Sequence, residues 1–367
     1  MHPSAPRPSV LHVVPTARAG GAEAVATTLT ARLPERGIET ECVVLHGTDG
    51  GLPGVRSLGR RRSSDPRLVA DLRRCLRVRL EAAPCVIVHT HLGWPLYHVR
   101  LAARGLNVVH VHTEHSTGNV RRRPVLRPFE RRIYRGLATA FAVSDGVERA
   151  LAAWLGDAAP PVEVVWNGAQ LHGPCHRAPP DGRVRLVSVG SLTTHKGFDV
   201  ALEAVALARA RVEAYRLVGE GPERRALEER AASLGLDGVV EFVGWSDAVA
   251  AHLCWAHVLL APSRREGFGL AAVEALSTGM PVIASSVDGL AEVLVGAGPA
   301  ARLTAPDDAA ALATAIDAIA ALPAEGYRAL EAPAVRQAER FGIDAMVDRY
   351  AERYRVLTAR RVGGGHD

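Results

Sequence analysis

A chain of 367 residues, 48% hydrophobic and only 5% aromatic, is long enough for about two packed domains. It holds no run of eighteen apolar residues and no charged-then-apolar leader, which argues against a spanning helix or a secretory signal and for a cytoplasmic protein. Net charge is +5 but uneven: residues 1–172 carry 23 arginines against 14 acids, a net +9, and the remainder is net −4. The first half therefore faces anions, and without aromatic interleaving or a recognised binding motif, nucleic acid is the weaker explanation beside phosphorylated acceptors or an anionic membrane surface.

Strand-like and helix-like segments alternate from the start, the pattern of parallel sheets with helices on both faces. The first strand is expected at residues 10–14. Arg18-Ala19-Gly20-Gly21-Ala22-Glu23 follows, then an apolar-periodic helix from Ala24 to about Arg36, ended by Gly37. Further strands are expected at 41–45, 85–89, 108–113, 140–143 and 162–166. Residues 167–183, rich in Gly, Pro and His, have the composition of a linker.

A second α/β set opens at Val184, with strands expected near 184–189, 214–218, 239–243, 258–260 and 281–284. Helices are expected at 199–209, 223–234, 249–255 and 268–277. A late helix covers 344–357, extending to about 362, and 363–367 has the composition of a frayed end. This reading gives an N-terminal domain over 1–172, with helix 344–362 packing back on it, and a C-terminal domain over 173–343. The five cysteines (Cys42, Cys75, Cys85, Cys175, Cys254) are scattered, odd in number and without a C-x-x-C pair, which argues for a reducing compartment rather than a disulfide framework.

The most informative segment is Glu266-Gly267-Phe268-Gly269-Leu270-Ala271-Ala272-Val273-Glu274. It reads as a glycine loop leading into a helix, with one carboxylate on the loop and one within the helix. A helix start reached through glycines presents free N–H groups and positive dipole, which suits a diphosphate. The two acids suit the hydroxyl-rich parts on either side, a sugar and a ribose. A second signal is that Lys196 is the sole lysine among 44 basic residues, within Gly190-Ser191-Leu192-Thr193-Thr194-His195-Lys196-Gly197. Against a background that has drifted to arginine, a retained compact ammonium beside glycines points to phosphate contact, with chance survival on a solvated loop as the alternative.

Taken in order, these motifs resemble the retaining family 4 glycosyltransferases of GT-B fold, from about Val10 to about Leu357. The Glu-x7-Glu segment carries most of the resemblance. It is supported by Gly20-Gly21-Ala22-Glu23, His112-Thr113-Glu114-His115, Asn167-Gly168, Lys196-Gly197, Gly219-Glu220-Gly221-Pro222 and Gly279-Met280-Pro281. The resemblance implies two Rossmann-like domains facing a central cleft, with the acceptor on the first and the nucleotide sugar on the second. It implies that Glu274 takes the ribose hydroxyls, and that Glu266 with the backbone of Gly267, Phe268, Gly269 and Leu270 contacts the transferred sugar and diphosphate. Lys196 neutralises the diphosphate, and Gly20 and Gly21 approach it from the other domain. Val243-Gly244-Trp245 meets the base, Gly219 and Ser191 line the donor site, and His115 lies beside the sugar. Catalytic roles thus fall to His115, Glu266 and Lys196.

The implied reaction moves a hexose or N-acetylhexosamine from a nucleoside diphosphate sugar, UDP the expected nucleotide, to a hydroxyl acceptor with retention. No cofactor and no catalytic metal is expected, although the His-x-His spacings at His89/His91 and His110/His112 leave metal binding as a minor alternative. Two departures from the family pattern stand out. Ser191 occupies a place where arginine is frequent, and Val287-Asp288-Gly289 replaces a Gly-Gly pair, which Asp288 tolerates as a left-handed residue. Competing readings are a nucleotide-sugar epimerase and a non-catalytic binding subunit.

The acceptor is not legible. The segment 121–135 holds seven arginines and one acid. One reading is a peripheral station at the inner membrane face. The preferred one is a solvated helix that turns Phe129, Ile133 and Leu137 inward at spacing four.

Overall fold

A computed structural model of the chain describes residues 8–17, 20–83, 85–118 and 122–363. Arg18, Ala19, Arg121 and the expected frayed end beyond Gly363 lie outside the described residues. The chain divides into two compact units, one comprising Met1–Gly168 and Ile343–Asp367, the other Ala169–Gly342.

The first unit is built on seven parallel strands: β1 (Ser9–Val14), β2 (Glu39–His46), β3 (Val55–Arg60), β4 (Val86–His91), β5 (Val108–Glu114), β6 (Thr139–Ala142) and β7 (Val162–Val164). Their order is β3-β2-β1-β4-β5-β6-β7. The second unit has six: β8 (Val184–Val189), β9 (Val212–Val218), β10 (Val240–Gly244), β11 (Val258–Ala261), β12 (Val282–Ser285) and β13 (Ala301–Thr304), in the order β10-β9-β8-β11-β12-β13. Both orders reverse direction once, between β1 and β4 and between β8 and β11. In open α/β sheets, ligands bind beyond the carboxyl ends of strands at such a reversal, so the topology selects the loops after β1, β4, β8 and β11.

Helices cover the sheets because their apolar stripes have nowhere else to go. Helix Ile343–Gly363 places Met346, Val347, Tyr350, Ala351 and Tyr354, spaced three and four apart, into a cluster with Val10, Ile87, Val111 and Phe141 of the first sheet. Helix Leu68–Ala82 was not expected from the sequence. Its inward stripe is only Leu68, Leu72 and Leu76, diluted by four arginines. The strand β3 was missed as well, because Arg56 and Arg60 break its apolar pattern. No single described helix is long and apolar enough to cross a membrane.

Several boundaries move. The first helix is Gly21–Arg32, followed by a tighter turn Leu33–Arg36 that Gly37 closes at φ +73°. It starts three residues earlier than expected, so Gly21 is its first residue and Gly20, at φ −179°, its extended cap. Residues 169–180 are no free linker. His172 N–H donates to Ser277 Oγ at 3.0 Å, Cys175 N–H to the Thr278 carbonyl at 3.1 Å, and Arg177 to Thr278 Oγ1 at 3.0 Å. A disulfide joins Cys175 to Cys254 across 79 residues, against the expectation of free thiols throughout. Sequence spacing gives no hint of it, because the pairing depends on where the strap crosses helix Val249–Trp255.

In the basic segment, helix Arg127–Tyr134 is short because Pro124 starts a preceding turn and Pro128 sits in its first turn. Ile133 and Leu137 are buried as expected. Phe129 is not: it is 48% exposed and lies against Tyr97, ring centroids 5.3 Å apart. An eight-residue helix turns only two full faces, and Glu130 and Tyr134 take the inward positions instead.

Candidate active site

In the second unit the loops after β8 and β11 meet. The chain leaves β8 through Gly190, makes the turn Thr194–Lys196, and passes Gly197 into helix Phe198–Leu207. Gly197 has φ +67°, and a Cβ there would stand 2.0 Å from the Pro262 carbonyl oxygen. Only glycine lets the two loops touch at this point. The contact sets Lys196 Nζ 2.5 Å from Glu266 Oε2, each side chain about one-fifth exposed, with Ser263 Oγ donating to the same oxygen at 3.4 Å.

Arg264 locks this arrangement from behind. Its guanidinium binds Asp199 through both terminal nitrogens (2.9 and 2.6 Å) and Asp307 through Nε (2.6 Å). It also donates to the Thr194 carbonyl at 2.7 Å, and its amide donates to the His195 carbonyl at 2.8 Å. A planar fork held on several sides is a rigid brace, so the Lys196 turn and the Glu266 loop are positioned as one piece. The sequence reading missed Arg264 and Asp199. Their partnership spans 65 residues and leaves no local signal.

Beyond Glu266, Phe268 turns inward against Phe341 at 5.5 Å between rings, and Gly269 at φ +102° caps helix Leu270–Ser277. A Cβ on Gly269 would stand 2.7 Å from Leu290 Cδ1. Ala272 and Val273 N–H donate to the Gly269 carbonyl, so the amides of Leu270 and Ala271 are left without an acceptor inside the helix. Since the Phe268 ring belongs to the core, only its backbone is available to a ligand. Glu274 lies one turn further in, and burial raises its carboxyl to about 7. No described residue forms a hydrogen bond with that carboxyl. A largely buried acid with no hydrogen-bonding partner among the described residues is a candidate ligand contact.

The other residues expected from the sequence to meet the donor lie at the carboxyl ends of β8, β9 and β10. Gly219 N–H donates to the Gly244 carbonyl at 2.8 Å, joining the ends of β9 and β10. Val243 and Gly244 end β10, and Trp245 after them is 66% exposed. Ser191 is exposed on the loop after β8. Asp288, the first residue of helix Asp288–Leu294, adopts φ +23°, the positive-φ backbone anticipated for it.

The first unit shows a different chemistry at its own strand reversal. His12 of β1 and His89 of β4 are register partners. Because side chains alternate along a strand, His89 and His91 share one face of β4 while Thr90 takes the other. His89, His91, His110, His112 and His115 therefore separate. His110 Nε2 and His112 Nδ1 lie 3.1 and 3.0 Å from Thr90 Oγ1 on one face. On the opposite face His12, His89, His91 and His115 adjoin one another, with His89 and His91 stacked at 4.2 Å. Burial drives all four toward the neutral form, His12 and His115 to about 3 and His89 and His91 well below the ordinary histidine value.

Ring nitrogens of His12, His89 and His91 lie within 4.8 Å of one another, close enough to consider an ion. Two features oppose this. His89 already meets Tyr354 Oη at 2.5 Å through Nδ1 and Thr113 Oγ1 at 2.7 Å through Nε2. Its ring also stacks on His91, and lone pairs in near-parallel planes do not converge on a point about 2 Å from each nitrogen. Within the set, His12 and His91 are joined by a hydrogen bond and His89 meets them only through ring packing. Gly20 and Gly21 sit at the start of the helix after β1, and neither needs glycine for its dihedrals, since Gly20 is extended and Gly21 helical.

Two sequence families match the chain. Residues 19–172 match the family described as Glycosyltransferase Family 4, and residues 183–321 the one described as Glycosyl transferases group 1. A 2-deoxystreptamine glucosyltransferase of Streptomyces kanamyceticus is 30% identical over 342 residues, covering 85% of this chain and 88% of the relative. A GDP-mannose-dependent alpha-(1-6)-phosphatidylinositol dimannoside mannosyltransferase of Mycobacterium tuberculosis is 36% identical over 143 residues, 38% of this chain and 36% of its own length. Among solved structures, sucrose-phosphate synthase from Thermosynechococcus elongatus superposes with a TM-score of 0.81 at 23% identity, over 96% of this chain and 99% of that one. The Anabaena protein HepE, solved in complex with UDP-glucose, gives 0.80 at 17% identity over 94% and 98%. With two doubly wound parallel sheets and these relatives, the chain belongs to the GT-B glycosyltransferases and is an enzyme that transfers sugars.

Proposed function

We propose that the enzyme is a retaining family 4 glycosyltransferase that moves a hexose or N-acetylhexosamine from a UDP-sugar to a hydroxyl group of a small polar acceptor, and that it needs no catalytic metal. The observation that carries this reading is the meeting of Lys196 and Glu266 ahead of a helix whose interior holds Glu274 with its carboxyl unengaged. Lys196 supplies the charge that a departing diphosphate requires, and the free amides of Leu270 and Ala271 add the positive end of a helix. Glu266 shares Lys196 with the incoming phosphate and takes sugar hydroxyls on its other lone pairs. Glu274 receives the ribose hydroxyls, and the Val243-Gly244-Trp245 turn takes the base. In the first unit, His115 is assigned to the donor sugar and the Gly20-Gly21 helix start to the diphosphate.

The step is electrostatic. The glycosidic C–O bond breaks as the diphosphate takes up negative charge, the acceptor oxygen bonds to the anomeric carbon from the same face, and its proton passes to the departing phosphate oxygen. An aminocyclitol or similar polyol is the acceptor class favoured by the relative that matches along most of its length.

The test is direct. Purified enzyme is titrated calorimetrically with UDP and GDP, then incubated with the matching nucleotide sugars and a panel of 2-deoxystreptamine, inositol and glycolipid acceptors. The reading requires nucleoside diphosphate to bind, a glycoside to form, and its anomeric configuration by NMR to equal that of the donor. Inversion, or donor epimerisation without acceptor, overturns it.

A further inference from the structure

Three of the buried imidazoles form a line. His12 Nδ1 lies 3.2 Å from His91 Nε2, and His91 Nδ1 lies 3.1 Å from His115 Nε2. His91 thus spends both nitrogens on its neighbours. The outer nitrogens at each end, His12 Nε2 and His115 Nδ1, are buried and have no partner among the described residues. Every ring in the line is neutral near pH 7, since burial disfavours the imidazolium and no carboxylate touches any of them. A neutral imidazole has one N–H and one lone pair, so the line has only two polarities.

In one polarity protons point inward: His115 Nε2–H donates to His91 Nδ1, His91 Nε2–H donates to His12 Nδ1, and the surplus N–H ends on His12 Nε2. That atom lies inside β1, under a fully buried residue, where no acceptor can arrive. In the other polarity protons point outward: His12 Nδ1–H donates to His91 Nε2, His91 Nδ1–H donates to His115 Nε2, and the surplus N–H ends on His115 Nδ1. His115, only part-buried, follows the last residue of β5 at the carboxyl edge of the sheet, the side on which ligands bind, so its Nδ1, though covered here, is the end of the line that a ligand oxygen can come to. A buried N–H without an acceptor is the costlier orphan, and only the outward polarity lets a ligand remove it.

We propose that His91 is a positioning residue which, backed by His12, fixes His115 as the Nδ1–H tautomer and so presents a hydrogen-bond donor to an oxygen of the bound donor substrate. The proposal rests on the assignment of His115 to the donor sugar made above. It explains why two strands place histidines where the rest of the parallel sheet places valine and isoleucine: each ring is needed to set the next one. Nothing covalent happens in the line. It is a tautomer lock, and the stacked His89, held by Tyr354 and Thr113, keeps the His91 ring from turning.

Selective 15N labelling of histidine reads the tautomers in the intact protein saturated with UDP-glucose. The parent is expected to show His115 protonated on Nδ1. His91→Asn places an amide N–H where Nδ1 was and should keep that tautomer, with transfer within a few-fold of the parent. His91→Phe keeps the stack on His89 but gives no donor. It should move the His115 proton to Nε2 and lower kcat roughly 10- to 100-fold, the scale seen when an orienting partner of a functional imidazole is lost, with UDP affinity unchanged. Thermal melting confirms that both variants fold. If the parent carries its His115 proton on Nε2, or if His91→Phe retains both the Nδ1–H tautomer and the parental kcat, the lock does not exist. His115→Phe separates the two layers: unchanged transfer in that variant removes the sugar assignment, while the tautomer data still judge the lock.

Discussion

The two strand reversals of this enzyme solve the same problem with opposite materials. At the β8/β11 reversal the functional groups are charged, partly wet and set on loops, with Lys196 and Glu266 about one-fifth exposed. At the β1/β4 reversal they are neutral, sealed and set on strands, with His12, His89 and His91 fully buried. The difference follows from solvent. A charge is tolerated where water or a partner reaches it, so the pair sits at a sheet edge among glycines. Imidazole can discard its charge, so it survives among valines with five of the six nitrogens of His12, His89 and His91 engaged by a neighbour.

The sharpest way to break this comparison is to remove the charge. Lys196→Ala is expected to lower kcat/KM roughly 100- to 1,000-fold, the scale of a lost transition-state donor, with the protein still folded. Lys196→Arg should lose at least about tenfold, since a planar guanidinium does not replace a point charge in so confined a turn. Steady-state kinetics decide it, and parental activity in the arginine variant would mean that any cation suffices.

Tyr354→Phe probes the neutral site. It keeps the ring but strips His89 Nδ1 of its partner, and should cost about 1–3 kcal/mol of stability, read as a shifted denaturation midpoint at unchanged m. No shift would show that the buried network is ornamental to the fold.

Glu274→Gln tests whether the second site is a compromise. The carboxyl is pushed up to about 7, so the folded state holds a proton that the unfolded chain, near 4.5, has lost. Its burial penalty is therefore absent below about pH 4.5, grows between 4.5 and 7 and is complete above 7. Glutamine should raise Tm most above pH 7 while weakening UDP binding by about tenfold, one good hydrogen-bonding contact. Calorimetry and melting at pH 5 and pH 8 check both signs, and a lower Tm at pH 8 would refute the assignment. The smallest effect belongs to the surface: Phe129→Ser should change stability by less than about 0.5 kcal/mol and leave transfer to a soluble acceptor unaltered. A large loss would show that this exposed face is covered in the working enzyme.

Legibility in the sequence tracked these differences. The Glu266–Glu274 spacing, the glycines around it and the lone lysine were readable because one loop and one helix carry them, and the period of a helix is written locally. The histidines were visible only as a crowd. Alternation along β4 and β5 could have divided them into two faces, but pairing His12 with His91 required the β1–β4 register, set by side chains 79 positions apart. Phe129 was misplaced for the opposite reason: a spacing-four pattern was extended along a helix that two prolines had shortened.

The sequence by itself determined the alternation of strands and helices, the glycine-led helix start and the two acids beside it, because these depend on backbone propensities and spacings within about ten residues. Tertiary structure decided the rest. It joined Cys175 to Cys254, clamped Arg264 between Asp199 and Asp307, and threaded the imidazoles of two strands and of the loop after β5 into one line. Each of those depends on which distant segments the fold brings together, where most polar atoms find a partner that local sequence does not name.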